Sequence, residues 1–583
     1  MNVAQRATHH AATCFLNSLL REWTEHRASP SKIEIPIGGA GHIDIPLRHH
    51  SVLGRHRYEG RFFLVTAAAR QEIDFLTLVH HLTEFLSKRL GAGADQKRLF
   101  EERVRSSRDN IEAALAGRQT SLAKKAVTDF DFLSAEQALL VGHNFHPTPK
   151  SRDEFDAAAL EAYAPEFAGS FRLQWMAADP SIVFEKRAVS FADQDWTAQL
   201  ALRDLPPESE TQARTLLEAG FRLLPFHPWQ LDVLRKSAPV REHLAEGRLK
   251  PLGVSKSDWG ATSSLRSVYR EDAPFMLKFS MTLKLTNSIR HLLAHEVERG
   301  LQLQDVLNTV KGREFQKRHP QFHVVTEPAF FALKDAEGRP IDASITVCRE
   351  NPFRRGREKG HAVLATLAQD ALYGGENWAV QAANAAFPHG SRAENGRRWF
   401  RRYLEVAAAP LIDAQANYGF LLGAHQQNLI LELDGGLPVA ASFRDCQGTG
   451  YSELGFANFA ADVPLMTREN GNILDANMGN ALFTYYLILN STFNVITALA
   501  ADPEGAGETD LLTDLRDFLQ QRLELGVQDA SFLSALLNSP VLRHKGNFLC
   551  ALKSINENTT TDPLSIYNLV PNPLAHAKGS TNA

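Results

Sequence analysis

The sequence predicts an α+β protein. Helical periodicity dominates both ends of the chain, and strand-like alternation gathers in its middle. The two patterns never alternate regularly enough for a doubly wound parallel sheet. The length, 583 residues, suits roughly three to five domains or fewer large ones.

The N-terminal stretch MNVAQRATHHAATCFLNSLLREW reads as an amphipathic helix, because it lacks the basic start and unbroken apolar run of a signal peptide. SKIEIPIGGAGHIDIPL alternates on either side of a Gly-rich turn and predicts a hairpin. RDLPPESETQ (203–212) is a loop by composition. PFMLKFSMTLKL (274–285) predicts one strand, and SIRHLLAHEVERGLQLQDVLNTV the helix after it. Beyond Gly360 helix dominates, except at NLILELDGGLPVAASFRD (428–445), where two apolar runs flank Asp-Gly-Gly and predict a second hairpin. Ala481–Ala501 carries no charge over 21 residues, enough to cross a bilayer. Asn490, Ser491, Thr492 and Asn494 interrupt its centre and no basic cluster flanks it, so a buried helix is expected, with no membrane partner. The last residues predict a loose tail.

Lys and Arg number 63 against 67 Asp and Glu, a net charge of −4. That balance argues against nucleic acid as a partner but leaves room for a local basic pocket. The four cysteines are scattered without a CxxC pair, which excludes a disulfide framework and fits a cytoplasmic protein.

The common phosphate-loop, dinucleotide, nucleophile-elbow and HExxH signatures are missing. His291 and His295, four apart on the expected helix, read as a helix face rather than half a zinc site. Three clusters carry more. AHQQN, the hairpin and FRD place Asn428 before the hairpin and Asp445 at its end, the order in which kinase-like sites grip Mg²⁺ through two oxygens. No Asp precedes Asn428 as a catalytic base would, so ordinary hydroxyl phosphorylation is poorly served. ATSSLRSVY offers Thr262, Ser263, Ser264, Arg266 and Ser267; Lys278, Ser280, Thr282 and Lys284 then alternate onto one strand face. Such a face is a poor core and a good anion cradle. VGHNFHPTPKSR holds His143, His146, Thr148, Lys150 and Arg152 in a loop stiffened by Pro147 and Pro149, a candidate polyanion pocket.

GHNFHPTPKSR, FHPWQ (226–230), ATSSLRSV (261–268), LKFSMTLKLTNSIR (277–290), CRENP (348–352), GAHQQN (423–428), FRDCQG (443–448) and VPNPL (570–574) occur in this order. Together they resemble the IucA/IucC family of NRPS-independent siderophore synthetases. AATCFLNSLLRE also resembles the aerobactin-type members that use free citrate. The resemblance implies a hand-like fold: a thumb over 1–135, fingers over 136–359 and a distantly kinase-like palm over 360–583, often as a homodimer. It implies an ATP- and Mg²⁺-dependent ligase that adenylates a carboxylate of citrate or a citryl derivative. The acyl-AMP then joins a polyamine or hydroxylated amine, with release of AMP and pyrophosphate. Carried over by motif, Ser263, Ser264, Arg266, Ser267, Lys278, His425 and Asn428 face ATP, with Arg266, Lys278 and His425 catalytic. Asn428 and Asp445 hold the metal; His146, Lys150, Arg290 and Arg349 face the acid. Many members carry Glu where this chain has Gly423. A kinase-like small-molecule phosphotransferase, or a binder without turnover, is the alternative.

Overall fold

A computed structural model describes residues 1–39, 41–285, 288–555 and 562–576. Thr286 and Asn287 of the LTNSIR motif and the tail from 577 lie outside the described residues. Helix and sheet are mixed throughout, as the α+β reading expects.

The chain opens on the helix Val3–Glu22, whose capping box pairs Asn2 and Gln5. The expected hairpin follows as Lys32–Gly38 and Gly41–His49, with Ile33 opposite Ile45 and Ile35 opposite Ile43. Period-2 alternation turns these four isoleucines to the core, where each is at most 1% exposed. Arg27–Ala28, Arg57–Tyr58, Phe62–Val65 and Arg70–Ile73 complete an antiparallel sheet of six strands. Phe75–Leu90 and Ala94–Leu122 are the helices after it.

The middle of the chain forms a seven-stranded antiparallel sheet in the spatial order 170–171, 259–261, 267–269, 275–279, 346–350, 329–333, 183–187. The strand expected over 274–285 is broken in two at Ser280, which leaves the sheet by donating its hydroxyl to Asp342 O and its N–H to Ile345 O. Lys278, Ser280, Thr282 and Lys284 therefore do not share a face. Thr282 turns to Gln230 and His291, and the Lys284 N–H to Glu154. Its helix starts only at Ala294, so His291 and His295 do not share a helix face either.

The second predicted hairpin pairs Leu429–Asp434 with Leu437–Phe443. Gly435 and Gly436 both hold positive φ, as a two-residue turn of primed type requires, and a Cβ on Gly436 would sit 2.5 Å from Ala382 O. Phe322–Val324 adds to the hairpin in parallel and His361–Val363 antiparallel. The apolar segment 481–501 lies mostly within a helix, Ala476–Leu499, 89% buried inside the protein over its most apolar stretch.

Two apolar cores result. One collects residues between Phe155 and Cys348 around the seven-stranded sheet. The other joins the N-terminal elements to the C-terminal ones, with Phe15 and Phe100 packing edge-on against Phe548. The hairpin base and one face of the large sheet meet where these bodies touch.

Candidate active site

Residues paired directly across strands share a sheet face. Ser267 pairs with Lys278, Lys278 with Val347, and Arg349 lies two residues beyond Val347. Ser267, Lys278 and Arg349 thus point the same way, toward the end of the hairpin. Their counter-ions come from elsewhere. Glu327, 0% exposed, accepts from Arg349 Nε (2.9 Å) and Nη2 (2.5 Å) and lies 3.4 Å from Lys278 Nζ. Asp445 pairs with Lys278 and stands 3.5 Å from Arg349 Nη2. Arg266, 8% exposed, adds its field to the group.

Three cations, Arg266, Lys278 and Arg349, face two carboxylates, Glu327 and Asp445, and Glu296 adds its field at Arg266. Burial alone would raise the Asp445 carboxyl, but Lys278, Arg266 and Arg349 hold it well below the usual carboxylate range. Burial pulls the Lys278 ammonium down while Asp445 and Glu327 oppose it. Arg349 goes up, because Glu327 and Asp445 outweigh its burial.

The backbone is strained at this point. Asp445 and Leu265 take φ of 78° and 68°, two of only four non-glycine residues at positive φ among those described. Such conformations cost on the order of 1–3 kcal/mol each and persist where the surroundings over-determine them. A buried fork does so here. Glu136 and Arg444, 1% and 3% exposed, pair through Oε1–Nη1 (2.9 Å) and Oε2–Nη2 (3.0 Å). Ser263 N–H donates to Glu136 (2.8 Å), and Arg444 donates to Ser263 Oγ (3.2 Å) and Gln427 O (2.8 Å). One ion pair thereby fastens the SSLR loop to the hairpin base. Within that loop Ser264 Oγ accepts from Ser267 N–H, and Thr262 Oγ1 donates to Ser267 O.

Asn428 sits opposite Arg444, whose N–H donates to Asn428 O (3.0 Å). Its amide donates to Gly423 O (3.1 Å), which turns the side-chain oxygen away from that bond. An amide oxygen and a carboxylate at the hairpin base are hard donors of the kind Mg²⁺ takes, so the residues present fit that ion. A Cβ on Gly423 would meet only Gly448 O, at 3.7 Å, so this departure from the family pattern leaves space rather than filling it.

His425 is partly buried beside Tyr486, with Arg444, Arg290 and Lys545 near enough to lower its basicity. Burial is the largest cause, and its pKa falls to about 4 despite Asp445. His143, 6.4 Å from the His146 ring, falls to about 3 for the same reason. Both imidazoles are neutral at pH 7. The His143–Arg152 loop is therefore not the cationic pocket its sequence suggests. Its two cations are engaged by Glu166, 1% exposed: Lys150 Nζ at 3.1 Å, also donating to Leu139 O, and Arg152 Nη2 at 3.1 Å. A buried carboxylate needs such partners, and Glu166 draws on both cations of this loop. His146 Nδ1 accepts from Thr148 N–H (3.1 Å).

The structure thus joins Ser263, Arg266, Ser267, Lys278, Arg349 and Asp445 into one constellation. Arg290 lies near His425, His146 lies beside His143, and Lys150 stands apart. Glu136, Glu327 and Arg444 escaped the sequence reading, since lone charges in unremarkable runs carry no spacing signal. Arg444, next to Asp445, came nearest to one.

The IucA/IucC family profile matches residues 131–369, and a profile described as ferric iron reductase FhuF-like transporter matches 397–560. The N(2)-citryl-N(6)-acetyl-N(6)-hydroxylysine synthase of Vibrio mimicus is 34% identical over 97% of this chain and 95% of its own. The spermidine-citrate ligase of Bacillus anthracis is 31% identical over 90% and 87%. Among solved structures, ATP-bound aerobactin synthetase IucA from a hypervirulent Klebsiella pneumoniae superposes with a TM-score of 0.89, at 32% identity over 97% of this chain and 99% of that one.

Proposed function

The chain belongs to the IucA/IucC family, and from that premise we propose that it is an ATP-dependent carboxylate–amine ligase of siderophore assembly. It adenylates a carboxylate of citrate or a citryl derivative, then joins the acyl group to a polyamine or hydroxylated amine. The observation that carries this reading is the convergence of three buried cations, Arg266, Lys278 and Arg349, on Asp445 at the hairpin base.

A carboxylate is a poor electrophile, and at pH 7 it repels the triphosphate it must attack. Arg266 and Lys278 lower that repulsion, and a group fixed by sheet pairing costs little reorganisation when charge develops. Ser263, Ser264 and Ser267 offer hydroxyls to the phosphates; His425 offers a neutral imidazole. Arg349, with His146 and Arg290, orients the acid so that its oxygen lies in line with the α-phosphorus. That oxygen bonds to phosphorus as pyrophosphate leaves. The amine nitrogen then bonds to the acyl carbon, AMP departs with the bonding pair, and the amine proton passes to solvent. Mg²⁺, held by Asn428 and Asp445, would neutralise phosphate charge when bound.

The relatives' names support amide formation over phosphoryl transfer and span hydroxylysine- and spermidine-derived amines. The likeness to the ATP-bound synthetase supports ATP. The hand-like division at 135 and 359 with a kinase-like palm and the homodimer rest on the family resemblance, the cytoplasmic location on the scattered cysteines, and all belong to the same proposal. The test is nucleotide analysis with citrate and a panel of diamines and hydroxylated amines. AMP and pyrophosphate are expected; ADP as main product would refute the ligase reading.

A further inference from the structure

Four polar residues interrupt the apolar helix Ala476–Leu499, and nothing described so far uses them. The interruption coincides with a change of helix type: Thr484–Thr492 is a π-helix, flanked by α-helix on both sides. A wider turn re-aims the residues that follow it, and such insertions recur at functional sites.

Here it re-aims buried amides at two loops, the His143–His146 loop that the reading above places on the acid side and the His425 loop that it places at ATP. Asn490, 5% exposed, accepts from Gln426 N–H through Oδ1 (3.2 Å), next to His425. Its Nδ2 lies 2.8 Å from His143 Nε2, whose other ring nitrogen contacts Phe145 N at 3.1 Å. Ser491 Oγ donates to Ala424 O (2.7 Å). Asn494 takes a hydrogen bond from Asn144 Nδ2 (3.3 Å) and donates to Asn490 O (2.7 Å). Residues 143–144 and 424–426 are thus held by one helical turn, and they adjoin His146 and His425. An amide in an apolar helix is costly unless both its ends are bonded. Both ends of Asn490 are bonded, one to each loop.

We infer that Asn490 is a positioning residue, which anchors the His143–His146 loop to the His425 loop and so sets how far the acid-binding side of the cleft stands from the nucleotide side. The inference rests on the proposed function, because it takes the His146 loop as the carboxylate side and the His425 loop as the nucleotide side. Ser491 and Asn494 brace the same turn.

The test is steady-state pyrophosphate release by the full chain with Mg-ATP, citrate and hydroxylamine as the amine. Asn490→Ala, with Asn490→Ser in parallel as the milder change, should raise the KM for citrate about tenfold or more, since a displacement near 1 Å can cost as much as a hundredfold. The KM for ATP should stay within about twofold, because Ser491 and the Asn428–Gly423 bond still hold the His425 loop and the clamp touches neither Lys278 nor Arg266. Thr492→Val is the control. Thr492 is as buried and lies in the same π turn, but bonds only Leu487 O and Tyr403 Oη. It should lower the melting temperature and leave both KM values alone. His143→Ala should raise the citrate KM too, and the Asn490→Ala/His143→Ala pair should be little worse than either single variant. Citrate and ATP KM values rising together in the Asn490 variants, or a citrate KM that does not move, would overturn the inference. A wild-type enzyme with no citrate-dependent pyrophosphate release would overturn the proposed function instead, and this inference with it.

Discussion

Asp445→Asn separates a metal ligand from a structural counter-ion. The Asp445 carboxylate is engaged by Lys278 and by Arg349 at 3.5 Å. A pair at that distance carries on the order of 5 kcal/mol of Coulomb attraction at an effective dielectric near 20, much of it offset by desolvation. Removing the Asp445 charge makes the group of Arg266, Lys278 and Arg349 with its counter-ions one unit more positive. Two consequences then point in opposite directions. The extra positive charge should keep metal-free ATP binding at the wild-type level or strengthen it. Turnover should collapse by about a thousandfold, roughly 4 kcal/mol of transition-state stabilisation, because an amide in place of the carboxylate holds the cation poorly. The assay is a pair of measurements on one preparation: ATP binding without Mg²⁺, and pyrophosphate release across a Mg²⁺ titration. Near wild-type turnover at saturating Mg²⁺ would refute the assignment. Parallel loss of binding and turnover would also refute it, by making Asp445 a counter-ion of Lys278 and nothing more.

Glu136→Gln leaves Arg444 buried without its counter-ion, which should cost about 3 kcal/mol by denaturant unfolding. It should also raise the KM for ATP more than that for citrate, since the ion pair that fastens the Ser263 loop to the hairpin base is lost. Stability should depend on pH on the acid side. His425 and His143 have folded pKa values near 4 and 3, against 6.5 when unfolded. Between those limits the unfolded chain binds more protons, so stability falls as pH drops from about 6.5 toward 4. Unfolding midpoints measured every half pH unit should show that slope, shallower in His425→Asn.

The sequence by itself determined the class and the local chemistry. Alternation fixed the Ile33–Ile45 register, and Asp-Gly-Gly set the tight turn at Gly435–Gly436, because those preferences act over a few residues. The order of short motifs carried the family, and with it the residues proposed to face ATP and acid. What no window of sequence could show is which charges oppose which. Lys278 reads as half of an open cradle until Ser280 breaks the strand and Glu327 and Asp445 close on it from 49 and 167 residues away. Lys150 and Arg152 read as substrate ligands until Glu166 occupies them. Asn490 reads as a flaw in an apolar helix until two distant loops meet on it. Buried ions and amides take whichever partner the fold delivers. Their pairing is a long-range electrostatic outcome, which only the tertiary structure could decide.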